Sequence, residues 1–272
     1  MALSALILAL AAAFVHAGWN LLLARARDPE AATAVALVVA IVAFAPVTVV
    51  VWRVELAVWP YLVASSALQL VYFVLLIAAY RRAALSVVYP IARGLAPVLV
   101  LVAGVVAVGA STSWAQAAGV ALVAGGVLLI RGLRHPDRVG IAFGVAIACV
   151  IAAYTLVDKH GIVHATPIVY LELGMIPPTL AYAGGVVWLR GLPAVRAEVN
   201  AASFAAGIAT FGAYALVLAA LARASAASVA AVRETSVVIA AALAAIVLKE
   251  RVGPGRFAGA ALVAGGVALL AL

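Results

Sequence analysis

"GVALVAGGVLLI" occupies Gly119–Ile130, and "GAALVAGGVALL" occupies Gly259–Leu270. Over Ala118–Leu129 and Ala258–Leu269, ten of twelve positions are identical, at an offset of 140 residues. Arg93 and Arg233 share that offset. Two unrelated landmarks at one spacing mark an internal duplication.

The surroundings of the phrase fix the solvent. Of 272 residues, 69% are hydrophobic and 10% charged, with mean hydropathy +1.29. Soluble domains run at about 45–50% apolar and about 25% charged, so water could not hold this surface. A bilayer could, if every segment satisfies its backbone as a helix. Each span needs roughly 20 apolar residues, and ten such segments can be marked: 2–23, 31–52, 60–80, 84–108, 114–131, 138–157, 166–189, 200–221, 225–248 and 255–272. The expected fold is an all-α membrane protein of ten transmembrane helices. They form two five-helix repeats, residues 1–134 and 135–272. Five is odd, so the second repeat enters the membrane from the opposite side. Inverted repeats about an axis in the membrane plane are a signature of secondary transporters, with substrate bound near the midplane. In the repeated phrase, Ala117, Ala121 and Gly125, like Ala261 and Gly265, recur every four residues. They are expected to let helices pack closely.

The net charge of +8 sits in the gaps between apolar runs, which is a pattern of membrane orientation and not of nucleic-acid binding. Gaps after spans one, three, five, seven and nine hold Arg25, Arg27, Arg81, Arg82, Arg131, Arg134, Arg138, Arg190, Arg196, Lys249 and Arg251. The other gaps hold Arg53, Lys159 and Arg223. The bias of 11 against 3 puts the first set in the cytoplasm and both termini outside. The first run carries His16, Trp19 and Asn20 and lacks a basic start, so it reads as a retained span and not a leader. The single cysteine, Cys149, excludes an intrachain disulfide.

Polar residues deep in spans are costly and face the protein interior or a wet cavity. Span one holds "HAGWN". His16 and Asn20 share a helix face, either coupling transport to protons through His16 or bonding to neighbouring helices. Span four reads "SVVYPIARGLAPVLV". Tyr89, Arg93 and Pro97 lie on one face, and Pro90, Gly94 and Pro97 weaken the helix into a hinge. Arg93 offers a guanidinium to an anionic substrate group, or else ties down freed carbonyls or pairs with Glu172. Span nine reads "SVAAVRETSVV", where adjacent Arg233 and Glu234 diverge by about 100° and need other partners. Asp158 and Lys159 form a boundary pair or a cavity edge. Glu172 and Asp158 are further candidates for carrying a proton. Span three offers Gln69 and Tyr72, and span eight Tyr214. His16, His135, His160 and His164 lack metal-ligand spacing, and no phosphate loop or nucleophile elbow is present. No metal, cofactor or enzymatic activity is expected.

At this point the sequence resembles the EamA-like transporters of the drug/metabolite transporter superfamily. The resemblance rests on the two five-span repeats, "HAGWN", "YPIARGLAP" and "LKERVGPGRFAGAALVAGGVALL", and covers essentially the whole chain. It implies a carrier of the bacterial inner membrane that exports amino acids or other small metabolites. It also implies a central cavity of spans one, three, four, six, eight and nine, drawing on His16, Trp19, Asn20, Tyr72, Tyr89, Arg93, Tyr154, Tyr214, Arg233 and Glu234. The family's glutamate at the end of span nine corresponds to Glu250, whereas "VGASTSW" after span four has none. Family members are often described with their termini in the cytoplasm, against the charge count. The leading expectation is alternating-access transport of a small molecule by a lipid-embedded monomer, driven by protons or by the substrate gradient. The alternatives are a flippase for a lipid-linked headgroup and a non-transporting membrane protein.

Overall fold

A computed structural model of the chain describes residues 1–23, 25–83, 85–131, 137–248 and 253–272. Among them the structure is helical apart from one isolated β-bridge. The helices are α1 (Leu3–Leu23), α2 (Pro29–Val50), α3 (Trp59–Arg82, after a 3-10 turn at Leu56–Val58), α4 (Leu85–Val108), α5 (Trp114–Arg131), α6 (Arg138–Gly161), α7 (Pro167–Arg190), α8 (Leu192–Ala197), α9 (Ala201–Leu221), α10 (Ala226–Arg233), α11 (Thr235–Leu248) and α12 (Pro254–Ala271). Polar gap residues set their starts. The side chains of Asp28, Asp137, Asn200 and Ser225 accept the first free amides of α2, α6, α9 and α10.

The expectation of ten continuous spans is corrected in part. Among the described residues, seven helices are long and apolar enough to cross a membrane: α1, α2, α3, α4, α6, α9 and α12. The apolar stretch of α5 is shorter. The helix α7 is 24 residues long but is loaded with Glu172, Pro177, Pro178 and Arg190. The ninth expected span is two helices, α10 and α11, which meet at Glu234. Large apolar side chains such as Phe14, Val42, Val106 and Phe257 point outward, as a lipid-solvated belt requires. Trp52, Trp59, Trp114 and Trp188 are exposed at or near helix ends, where indole rings favour the headgroup level.

The helix neighbours follow an exchange rule. Swap α1 with α6, α2 with α7, α3 with α9, α4 with α10 and α11, and α5 with α12. The contact α1–α9 then becomes α3–α6, α2–α9 becomes α3–α7, and α4–α6 becomes the packing of α1 on α10 and α11. The pairs α2–α7 and α5–α12 map onto themselves.

The repeated phrase forms the α5–α12 pair. A Cβ on Gly119 would meet Leu270 and the Gly266 carbonyl, and one on Gly259 would meet Ile130 and the Gly126 carbonyl. A Cβ on Gly126 would meet Gly259 and Val263, and one on Gly266 would meet Gly119 and Val123. The helices therefore run antiparallel, and each contact is carried into its partner by the offset of 140. The packing face is corrected. Gly125 and Gly265 have open space where a Cβ would go, and Ala121 and Ala261 are exposed. The interface uses the glycine one residue later and another seven residues before it.

Loops gather on two faces. On one, Arg190 donates to the Glu30 carboxylate at 3.1 and 3.2 Å, Arg81 stands 3.8 Å from it, and the Asp28 amide donates to Glu198 at 2.9 Å. These residues follow or flank α1, α3 and α7. Arg134, Lys249 and Arg251 lie outside the described residues. On the other face the α2–α3 and α6–α7 loops are bridged at Val54 and Ala165, with the Glu55 amide donating to the His164 carbonyl at 2.8 Å. There His164 Nδ1 donates to Glu55 at 2.9 Å and Arg53 donates to it at 3.3 Å.

Two outcomes are expected in detergent. Gly126→Val and Gly266→Val should destabilise the fold by about 1–3 kcal/mol each and to equal extents. Gly125→Val and Gly265→Val should be near neutral. Denaturation midpoints for the four variants check this. The His164 and Arg53 contacts hold the Glu55 carboxyl below its ordinary range. Its contribution to stability is therefore present above the unfolded-state value and is lost as pH falls through the lower folded-state value. Glu55→Gln should flatten that acid limb in a melting-temperature profile taken against pH.

Candidate functional site

Helices α1, α4, α10 and α11 bring polar side chains together at the centre of the bundle. α4 supplies Arg93, α1 His16, α10 Arg233 and the α10–α11 break Glu234, while Ser236 lies in the first turn of α11. Arg93 Nη1 lies 3.2 Å from Glu234 Oε1. Arg93 Nη2 donates to His16 Nε2 at 2.8 Å and to Ser236 Oγ at 3.5 Å. A nitrogen that accepts from a guanidinium carries no proton, so His16 is a neutral imidazole here. Tyr89, one turn before Arg93, places its ring 5.7 Å from the guanidinium carbon. Arg233 Nε stands 4.0 Å from the same Glu234 oxygen. Arg93 and Arg233 are each 7% exposed and Glu234 1%. Among the described residues, Arg93 Nε, Arg233 Nε and Glu234 Oε2 have no hydrogen-bond partner.

A second cluster sits beside the first. Asp158 on α6 is fully buried. Its carboxylate accepts from Tyr170 at 3.0 Å and, by a short bond, from Tyr214, and Ser65 reaches it from α3. Gly161 makes room for this, since a Cβ there would collide with the Tyr170 ring. Ser65, Gln69, Asp158, Tyr170 and Tyr214 line a void of about 10 Å³, roughly the room one water needs. Tyr154 bridges toward the first cluster, with ring centres 6.4 Å from Tyr72 and 6.3 Å from Tyr214.

The sequence profile of the EamA-like transporter family matches residues 3–132 and 138–272. The chain belongs to the EamA-like transporter family. It is therefore a multi-pass membrane transporter of the drug/metabolite type. No curated protein matches it. A solved structure described only as "Crystal structure of protein" superposes with TM-score 0.76 at 16% identity, covering 99% of this chain and 96% of its own. That likeness concerns the fold alone.

Of the residues expected at the transporter's centre, the structure gathers His16, Tyr89, Arg93, Arg233 and Glu234 in one cluster, and Tyr72, Tyr154 and Tyr214 in the adjoining aromatic row. Trp19 meets the His16 ring edge-on at 4.8 Å, and its buried Nε1 has no partner among the described residues. Asn20 is not part of the cluster, because its amide donates to the His16 carbonyl of its own helix at 2.9 Å. Four readings are corrected. Arg93 pairs with Glu234 and not with Glu172, which is buried on α7 with one oxygen unpartnered. Asp158 and Lys159 do not pair. The Lys159 ammonium donates to the carbonyls of Leu221 and Ala224 at the end of α9. The helix α4 runs unbroken through Pro90 and Pro97, while the ninth span breaks at Glu234. Gly94 is a packing contact, since a Cβ there would press on Leu128 of α5. His135 and Glu250 lie outside the described residues.

Ser65 and Tyr170 were missed. Ser65, Gln69 and Tyr72 recur at helical spacing on one face of α3, and a buried carboxylate at 158 must find donors. Together those signals could have found Ser65.

Removing one partner of a buried ion pair leaves an unpaired charge, at a cost of about 3–5 kcal/mol. Arg93→Met and Glu234→Leu should each destabilise on that scale. The double variant should recover much of the loss, which a double-mutant cycle of unfolding in detergent measures.

Proposed function

We propose that the protein is a secondary active transporter that exports small carboxylate-bearing metabolites, amino acids foremost, across the bacterial inner membrane by alternating access. The observation that carries this reading is the charge balance of the central cluster. Two buried guanidiniums share one carboxylate, and His16 is neutral, so within this cluster one positive charge is left without an ion-pair partner, Asp158 reaching Arg233 only through its field. Buried charge of this kind is costly unless compensated. A substrate carboxylate supplies the compensation, and the free Nε donors of Arg93 and Arg233 offer it directional bonds. The unpartnered Glu234 Oε2 suits an ammonium group. A donor pair and an acceptor at one site match an amino-acid zwitterion.

The moving parts are two inverted five-span repeats, with α10 and α11 counted as one broken span. This topology is supported by the exchange rule among helix contacts and by the antiparallel α5–α12 pair, whose local two-fold axis is perpendicular to both helices. Broken spans at a midplane site are the recurring device of such carriers. The face bearing Arg81 and Arg190 is assigned to the cytoplasm by its excess of basic residues. One chain supplies both repeats, so a monomer suffices. Ion coupling falls to the titratable groups of the interior, His16, Asp158 and Glu172.

Proteoliposomes loaded with labelled amino acids test the reading. Saturable flux is expected. Because a charged hydrogen bond contributes about 1.5–3 kcal/mol, Arg93→Ala should lower flux roughly tenfold to a hundredfold, with Arg93→Lys in between. A folded Arg93→Ala protein with full flux overturns the assignment.

A further inference from the structure

Asp158 has no exposure to solvent, and among the described residues no cation forms an ion pair with it. Lys159, its chain neighbour, is spent on the end of α9. Arg233 acts on Asp158 from α10 only through its field. Facing it otherwise are neutral groups: Ser65 and Gln69 from α3, Tyr170 from α7 and Tyr214 from α9, with Tyr154 one turn back on α6. A bare carboxylate so placed is expensive, and hydroxyl donors offset only part of that cost. A positive charge taken up from outside would meet the remainder. The void beside Asp158 has room for one small particle, and its polar walls are the carboxylate, three hydroxyls and the Gln69 amide. Hard oxygen donors with one negative charge suit a single positive charge. A divalent ion would collect several carboxylates.

We propose that the void between α3, α6, α7 and α9 is a monovalent-cation site, occupied by Na⁺ or by a proton carried on Asp158. Its role as the coupling site rests on the transport reading above; its binding of a cation does not. Tyr214 touches Asp158 and packs on Tyr154 beside the Arg233 cluster. Neutralising Asp158 therefore alters the field where the substrate carboxylate is held.

The test is a melting-temperature series on the purified full-length protein in detergent. Choline is replaced by Na⁺ at constant ionic strength and neutral pH, and a second series varies pH in choline alone. A sodium site should raise the wild-type midpoint by about 3 °C, and a proton site should give a pH inflection without any Na⁺ response. Either effect should vanish in Asp158→Asn. Ser65→Ala and Gln69→Leu should weaken the Na⁺ response or move the inflection, and they decide the matter if Asp158→Asn does not fold. No wild-type response to either ion overturns the proposal, as does a response that these variants leave unchanged. Neither readout involves flux, so failure here leaves the transport reading standing, and an active Arg93→Ala protein would leave the cation site standing.

Discussion

The arginine cluster at the centre of this bundle is arranged around one carboxylate. Glu234 Oε1 holds Arg93 at 3.2 Å and stands 4.0 Å from Arg233. Arg93 belongs to the first repeat and Glu234 to the second, so the pair is also a bond between the two halves. It is possible because the ninth span breaks at Glu234. The Glu234 amide donates to the Ala231 carbonyl and Thr235 Oγ1 to the Val232 carbonyl, which close the last turn of α10. Arg233 then sits at a helix C-terminus, where the backbone dipole favours a cation.

The same repeat that makes the scaffold symmetric makes the site asymmetric. Over spans four and nine the offset of 140 aligns Gly94 with Glu234, Ala96 with Ser236, and Tyr89 with Val229. The arginine is common to both copies, and its companions are not. Gly94 lets α4 settle on α5, whereas its counterpart supplies the carboxylate. Duplication gave two buried guanidiniums, and divergence gave one acid to share between them. The α5–α12 pair carries both copies of its phrase at the contact, where Gly119, Gly126, Gly259 and Gly266 each meet the backbone of the other helix and leave no room for a side chain.

Much of this was legible in the chain. Composition and the 140-residue offset carried the helical membrane fold, and the cost of charge in lipid singled out Arg93, Arg233 and Glu234. Finer choices were not legible, for physical reasons. The phrase contains two adjacent glycines, and only contact with the other helix selects Gly126 over Gly125. Proline marks span four as the weak helix, yet α4 absorbs Pro90 and Pro97. The break falls instead in a stretch without proline or glycine, where a buried ion pair must be reached. Asp158 and Lys159 look like a pair in sequence. Adjacent residues on a helix point apart, and each found a partner from another element.

The two kinds of polar contact in the molecule differ in strength, and that difference bears on how it could work. The ties at the loop faces, Glu30 with Arg190 and Glu55 with His164, are exposed or half-exposed, and such pairs contribute about 0–1 kcal/mol. The pair at the centre is dry, and breaking it without replacement costs several times more. In an alternating-access cycle of the proposed kind, opening either mouth is therefore cheap, and parting Arg93 from Glu234 is not. A substrate carboxylate that takes over Arg93 while its ammonium takes over Glu234 replaces both lost interactions at once. Movement of the halves and occupancy of the site are then linked by the same two charges, and an empty site resists the step that a filled one allows.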